Sequence, residues 1–263
     1  MPLTLTRELR FGLHAAASPA PAEASNGFAG NPALLDVAPF LTLAATITGD
    51  VDGSTGMLIN IKSVDRILRE HAVPWVREAH FTQRTHAATI VVGLLSHLQS
   101  HFSPHTLSAL RLSLSPYLAY SATLQEPDMS NVTLRFEFSA AHRLHAETLT
   151  SAENVEIFGR CNNPNGHGHN YELEVTVAGV PDAVTGQVLP ILTLQEIVNT
   201  HLIARYDHKH LNLDCPEFAA LNPTVENIAA TLYQRLKPVI PAPATLTSLR
   251  VWETPKTMCE YSA

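Results

Sequence analysis

Cys161-Asn162-Asn163-Pro164-Asn165-Gly166-His167-Gly168-His169 runs without a break into Asn170-Tyr171-Glu172-Leu173-Glu174-Val175-Thr176-Val177. The second stretch alternates polar and apolar residues, the pattern of a half-buried strand. His167 and His169 are two positions apart, so on a strand both imidazoles face one side and can reach one metal ion. A third candidate nitrogen, His142, ends the run Phe136-Glu137-Phe138-Ser139-Ala140-Ala141-His142. Three nitrogens suit Zn2+ with an open fourth position, the pattern of a catalytic site. The same residue types also allow a closed, inert site in which Cys161 is the fourth ligand.

Outward from this stretch, the chain resembles itself. Thr46-Ile47-Thr48-Gly49-Asp50-Val51-Asp52-Gly53-Ser54-Thr55-Gly56 matches Thr176–Gly186, Thr185 standing 130 positions beyond Thr55. Leu110–Pro116 parallels Leu249–Pro255, Thr85 parallels Thr224, and Tyr120-Ser121-Ala122 parallels Tyr261-Ser262-Ala263. The boundary falls in the polar segment 125–130, giving domains 1–126 and 127–263. In the second half, strands are expected near 131–141, 169–179, 246–253 and 257–262, and helices near 191–206 and 224–237. Each half then reads strand, strand, helix, helix, strand, strand. This is α+β: a four-stranded antiparallel sheet with two helices on one face. Such small halves with open sheet edges point to closure by oligomerisation.

The chemistry is not repeated. In this alignment Ala17, Val37 and Pro39 stand where His142, His167 and His169 stand, and Asn31 replaces Cys161. Ala87 and Leu114 replace Glu226 and Glu253, and nothing matches Asp207-His208-Lys209-His210-Leu211-Asn212. The first half therefore reads as non-catalytic.

Composition narrows the class. With 45% hydrophobic and 16% charged residues among 263, a packed core is expected and global disorder is not. A formal charge of −7 and the lack of any basic run argue against nucleic acid. Three cysteines, Cys161, Cys215 and Cys259, are too few and too scattered for a disulfide framework, which points to a reducing compartment. Ala15–Ala20 mimics a signal cleavage site, but Arg7, Glu8, Arg10 and His14 interrupt the stretch before it. The most apolar run, Ile90–Leu95, is far short of a membrane span. These features read as a soluble cytoplasmic protein without membrane or nucleic-acid partners.

Other positions have two readings each. Cys161 is either an inert buried thiol or, near a cation and imidazoles, a usable thiolate base. Asp207-His208 follows a helix, whose C-terminal dipole favours His208 but leaves Asp207 unexplained. An Asp beside a His also makes an acid–base relay. Glu226 in a first helical turn is accounted for by capping, and Glu253 by its place at a strand end. Cys215 and Cys259 read as structural. His14, His71, His80, His86, His97, His101, His105, His145 and His201 form no ligand spacing and are expected mostly in solvent.

Taken together, Phe138-Ser139-Ala140-Ala141-His142-Arg143-Leu144, Phe158-Gly159-Arg160 and the Cys161–Tyr171 stretch resemble the 6-pyruvoyl-tetrahydropterin synthase family. Asp207-His208-Lys209, Pro223-Thr224-Val225-Glu226-Asn227 and Glu253-Thr254 follow in that family's order. The resemblance spans about 131–263, and the first half looks like a degenerate copy. It implies two tandem tunnelling-fold units, units of a kind that close into barrels with active sites between subunits. It implies Zn2+ on His142, His167 and His169, and proton transfer by Cys161, Asp207 and His208. Thr224, Glu226 and Glu253 would hold the pterin of 7,8-dihydroneopterin triphosphate. A trimer of tandem chains would supply six units. The long cysteine-to-histidine segment favours the pyruvoyl enzyme over the related 6-carboxy-tetrahydropterin synthase. A pterin-binding scaffold without turnover is the third reading. Val225 stands where the family often has a second threonine.

Overall fold

Phe40–Gly49 buries every second side chain, Leu41, Leu43, Ala45 and Ile47, and leaves Thr42, Ala44 and Thr46 between them half-buried. That alternation makes it a strand with one face on a core. The computed structural model describes residues 2–15 and 37–262. They form two units: one holds the chain up to Val132 together with Ala178–Val188, the other Thr133–Val177 and the chain from Leu189.

In the first unit, β1 (Leu3–Gly12), β2 (Phe40–Gly49), β3 (Thr106–Ser115) and β4 (Leu118–Thr123) pair in that order, all antiparallel. Between β2 and β3 come a helical stretch over 61–82 and the helix Ala87–Leu98, which packs on β3 and β4. Pro74 sits in the first turn of the segment Val73–Arg77, just after a wider π-type turn at Leu68–Ala72. In a first turn the N–H that proline lacks is not needed. Leu9, Leu43, Ile47, Val64, Leu68, Leu94 and Leu98 are fully buried, each contributing about 1.5–3 kcal/mol.

β5 (Glu126–His142) pairs with β6 (His167–Gly179), then β8 (Thr245–Thr254) and β9 (Thr257–Ser262); the second unit takes β5 from Thr133 and β6 up to Val177. The two-residue β7 (Lys209–His210) runs parallel to β5, Lys209 against Ala140. The helix Val225–Leu236 packs on β8 and β9, and a helical stretch over 191–206 precedes β7. A helix at Ser151–Phe158 lies outside the expected element order. Its sequence signal is plain: Thr150 and Glu153 make a reciprocal capping box.

Three sequence expectations are corrected. β5 starts five residues before the expected 131: Ser130 is fully buried and its hydroxyl donates to the Ser121 carbonyl. The pairing of Tyr120 with Tyr261 slips by two. Both final hairpins turn alike, Ser115 against Leu118 and Thr254 against Thr257. Leu110 then faces Ala122 as Leu249 faces Tyr261, so Ala122 takes the place of Tyr261. Likewise Thr6 bonds Thr46 as Thr133 bonds Thr176, both at 3.0 Å, and Thr133 lies 127 positions beyond Thr6. Ser139–Asn170, six residues further along both strands, keeps that register, so Ala15 rather than Ala17 matches His142. Ala17 and Asn31 themselves lie outside the described residues.

The matched turns do fold alike. The Asp52 carboxylate accepts from the Ser54 and Thr55 amides, that of Asp182 from the Val184 and Thr185 amides. Among the described residues no helix is long and apolar enough to cross a membrane.

Candidate metal centre and active site

His142 ends β5 with its ring fully buried. Its Nδ1 lies 2.7 Å from the Pro223 carbonyl oxygen, which can only accept. Nδ1 therefore carries the proton, and Nε2 presents a lone pair. That lone pair faces His167 Nε2 at 3.1 Å and Glu253 Oε1 at 3.1 Å. His169 Nε2 is 3.4 Å from the same Glu253 oxygen. All four ligand atoms lie within 4.8 Å of one another. Strand period explains the histidines: His167 and His169 open β6 on one face.

These residues fit a divalent ion. Burial holds His167 and His169 below the ordinary imidazole range, with His142 nearby adding to it and Glu253 opposing. Neutral imidazoles are what a metal needs. His169 Nε2 is buried without a hydrogen-bond partner, as is His167 Nδ1. A tetrahedral ion with bonds of about 2.0–2.1 Å spaces its ligands about 3.3 Å apart, close to the 3.1 and 3.4 Å separations from Glu253 and between His142 and His167. Glu253 is held below the usual carboxylate range, chiefly by His142, against its own burial. Expected at the pterin, it has one oxygen among the histidines.

Asp207 and His208 form a second constellation. Asp207 accepts the Ser139 amide at 2.8 Å and His208 Nδ1–H at 2.8 Å, and its carboxyl is held below the usual range by the first of these foremost. The His208 amide donates back to the Ser139 carbonyl at 2.6 Å, fixing the pair to the edge of β5. His208 has φ of 58° and an 83% exposed side chain. With Nδ1–H given to Asp207, its Nε2 keeps a lone pair. His169, His208, Lys209 and His210 line one cavity of about 630 Å³.

Cys161 is half-buried and free, in the turn Gly159–Asn162 after the helix Ser151–Phe158. The Leu144 amide donates to its carbonyl at 2.9 Å. Arg143 donates to the carbonyl and the side-chain oxygen of Asn162, and Asn212 clamps the Arg143 backbone from both sides. No hydrogen bond joins Cys161 to Asp207 or His208 among the described residues. Thr224 caps the helix Val225–Leu236, accepting from the Asn227 amide at 3.4 Å. Glu226 is exposed in its first turn, close enough to Cys259 to help raise that thiol, after burial. Neither belongs to the histidine group.

One residue at the site was passed over in the sequence, and a glycine of the histidine stretch proves indispensable. Tyr171 shares the face of His167 and His169 by the same period of two. It is fully buried, its hydroxyl unpartnered, and burial foremost pushes its pKa up, with Glu253 and Cys161 adding. Gly166 has φ of 72° and no room for a side chain: a Cβ would meet His210 Nε2 at 2.6 Å and the His142 carbonyl oxygen at 2.9 Å. Two histidines expected in solvent are structural instead. His145 bonds Asn162, and His86 caps Ala87–Leu98.

Residues 131–263 match the family model of 6-pyruvoyl tetrahydropterin synthase. A Drosophila melanogaster 6-pyruvoyl tetrahydrobiopterin synthase is 43% identical over 137 residues, 52% of this chain and 81% of its own. The Homo sapiens protein of that name is 40% identical over 132 residues, 50% of this chain and 90% of its own. A Haemophilus influenzae 6-carboxy-5,6,7,8-tetrahydropterin synthase is 27% identical over 153 residues, 51% of this chain and 99% of its own. Together with the histidine centre, these matches mean that the chain belongs, through residues 131–263, to the 6-pyruvoyl tetrahydropterin synthase family.

Proposed function

We propose that residues 127–263 form a zinc-dependent lyase that converts 7,8-dihydroneopterin triphosphate to 6-pyruvoyl-tetrahydropterin with loss of triphosphate. The observation that carries this is the convergence of ring nitrogens of His142, His167 and His169 with a Glu253 oxygen, all within 4.8 Å of one another, with His169 Nε2 buried and without a hydrogen-bond partner. Higher identity to 6-pyruvoyl than to 6-carboxy synthases supports the pyruvoyl product. Residues 1–126 serve as a second, non-catalytic unit of the same tunnelling fold, supported by the like order of strands and helices.

Zn2+ on the three histidines would act as a Lewis acid, acidifying side-chain hydroxyls and stabilising enolate-like charge. Pro223 holds His142 in the ligating tautomer. Cys161, as thiolate, takes a proton from a side-chain carbon, and the Asp207–His208 pair accepts and returns protons through Nε2. The thiol and this pair are not bonded within one chain, which supports pairing the thiol of one chain with Asp207–His208 of another. Glu253, through the oxygen that is not among the histidines, accepts a hydrogen bond from the pterin amino or ring N–H group. Thr224 and Glu226 line the ring from an adjoining copy. We infer a trimer, which light scattering tests; a monomer excludes it.

The deciding experiment incubates zinc-loaded protein with 7,8-dihydroneopterin triphosphate, follows triphosphate release and weighs the product by mass spectrometry. A product of 6-carboxy mass replaces the pyruvoyl assignment. Binding without triphosphate release refutes the enzyme and leaves a pterin-binding protein.

A further inference from the structure

A cavity of about 450 Å³ in the second unit is lined by Thr200, His201, Arg205, Lys209, Asp214 and Arg235. In a chain with a net charge of −7, three cations on one small cavity stand out. One is anchored. Arg205 makes a fork to Glu217, Nε to Oε1 at 2.7 Å and Nη2 to Oε2 at 2.6 Å. Tyr206 donates its hydroxyl to the same carboxylate. Glu217 is thus consumed behind Arg205, which keeps further N–H donors of its five.

Among the described residues no salt bridge reaches the other two cations, Lys209 and Arg235, and Arg235 Nε is buried without a hydrogen-bond partner. A buried guanidinium N–H left unpaired is costly, so a missing acceptor is indicated. Asp214 lines the cavity too, but its Oδ2 accepts the His210 amide at 2.7 Å. The cavity volume is in the range of small-ligand sites. Arginine forks and a lysine point charge are the donors that phosphoryl oxygens match. Lys209 and Asp214 also line the cavity that holds His169 and His208, so the two cavities adjoin.

We propose that Arg205, Lys209 and Arg235 form a receptor for a phosphoryl anion, either free in solution or carried on the tail of a phosphorylated substrate. The receptor is tested without turnover, so it stands or falls separately from the lyase reading. Inorganic triphosphate is titrated calorimetrically into the full chain after its metal is removed with a chelator and the chelator is dialysed away. Saturable binding is expected, weakening as salt rises. Arg235→Met and Lys209→Met should each weaken it at least tenfold. Lys209 is exposed, so that variant keeps the fold even where Arg235→Met does not. No saturable binding, or binding unchanged in Lys209→Met and in folded Arg235→Met, overturns the receptor. Where Lys209→Met also raises KM for the pterin triphosphate at constant kcat, the occupant is the substrate tail; weaker triphosphate binding with KM unchanged identifies a free anion.

Discussion

Gly166 and Gly168 flank His167, yet only one of them is irreplaceable. Gly166 has φ of 72°, where an L side chain costs about 1–2 kcal/mol. A Cβ there lies 2.9 Å from the carbonyl oxygen of His142, which is backbone and cannot swing aside, and 2.6 Å from His210 Nε2. Relieving such overlap costs about 1–3 kcal/mol more. Gly166→Ala should therefore destabilise the second unit by about 2–5 kcal/mol, lowering its Tm by roughly 5–15 °C. The displaced atom belongs to His142, a proposed metal ligand, so affinity for zinc should fall about tenfold or more as well. Gly168 is the control: its nearest neighbour is the Ala140 carbonyl oxygen at 3.6 Å, ordinary contact, and its φ is not positive. Thermal melts by circular dichroism and competition with a chromogenic chelator measure both effects. Gly166→Ala melting within about 2 °C of the parent, or Gly168→Ala doing equal harm, would show that the close approach is not real.

Removing the metal with a chelator should lower Tm. Zinc at a hundredfold over Kd should restore about 2.7 kcal/mol, and His142→Ala should abolish that gain; an unchanged Tm excludes a native-state metal site. Cys161→Ala should retain zinc but lose about 100-fold or more in triphosphate release, and full turnover in that variant removes the thiol from the mechanism. Glu253→Gln should raise KM with zinc stoichiometry intact; loss of zinc instead makes Glu253 a ligand. Arg205, opposed by burial and helped by Tyr206, lowers the Glu217 pKa from 4.5 to about 2. A depressed carboxylate stabilises the fold above its unfolded pKa and loses that contribution as pH falls through the folded one. The Tm gap between parent and Glu217→Gln should therefore narrow between pH 4.5 and about 2. A gap that stays constant across that range contradicts the ion pair.

What could be read from the sequence was local, and what could not was set at a distance. The two-residue period that joins His167 to His169 is a property of six consecutive backbone atoms, so it needs no tertiary knowledge. The same period continues to Tyr171, which was legible and missed, as was the capping box at Thr150. Register is different. Tyr120 and Tyr261 look equivalent in sequence, but hairpin length decides the match, and it selects Ala122. The proton on His142 is set by a carbonyl 81 positions away, contributed by a proline, a residue type with no donor and no side-chain signal. Glu253 is 111 positions from His142 and reads as an ordinary strand end until the fold brings its oxygen to 3.1 Å. Motif order carries a different kind of information from distance. Cys161, Asp207 and His208 follow the family's order, yet among the described residues no hydrogen bond joins the thiol to the acid–base pair, and His208 is 83% exposed. If a second copy completes the proposed relay, turnover should depend on protein concentration wherever the copies dissociate.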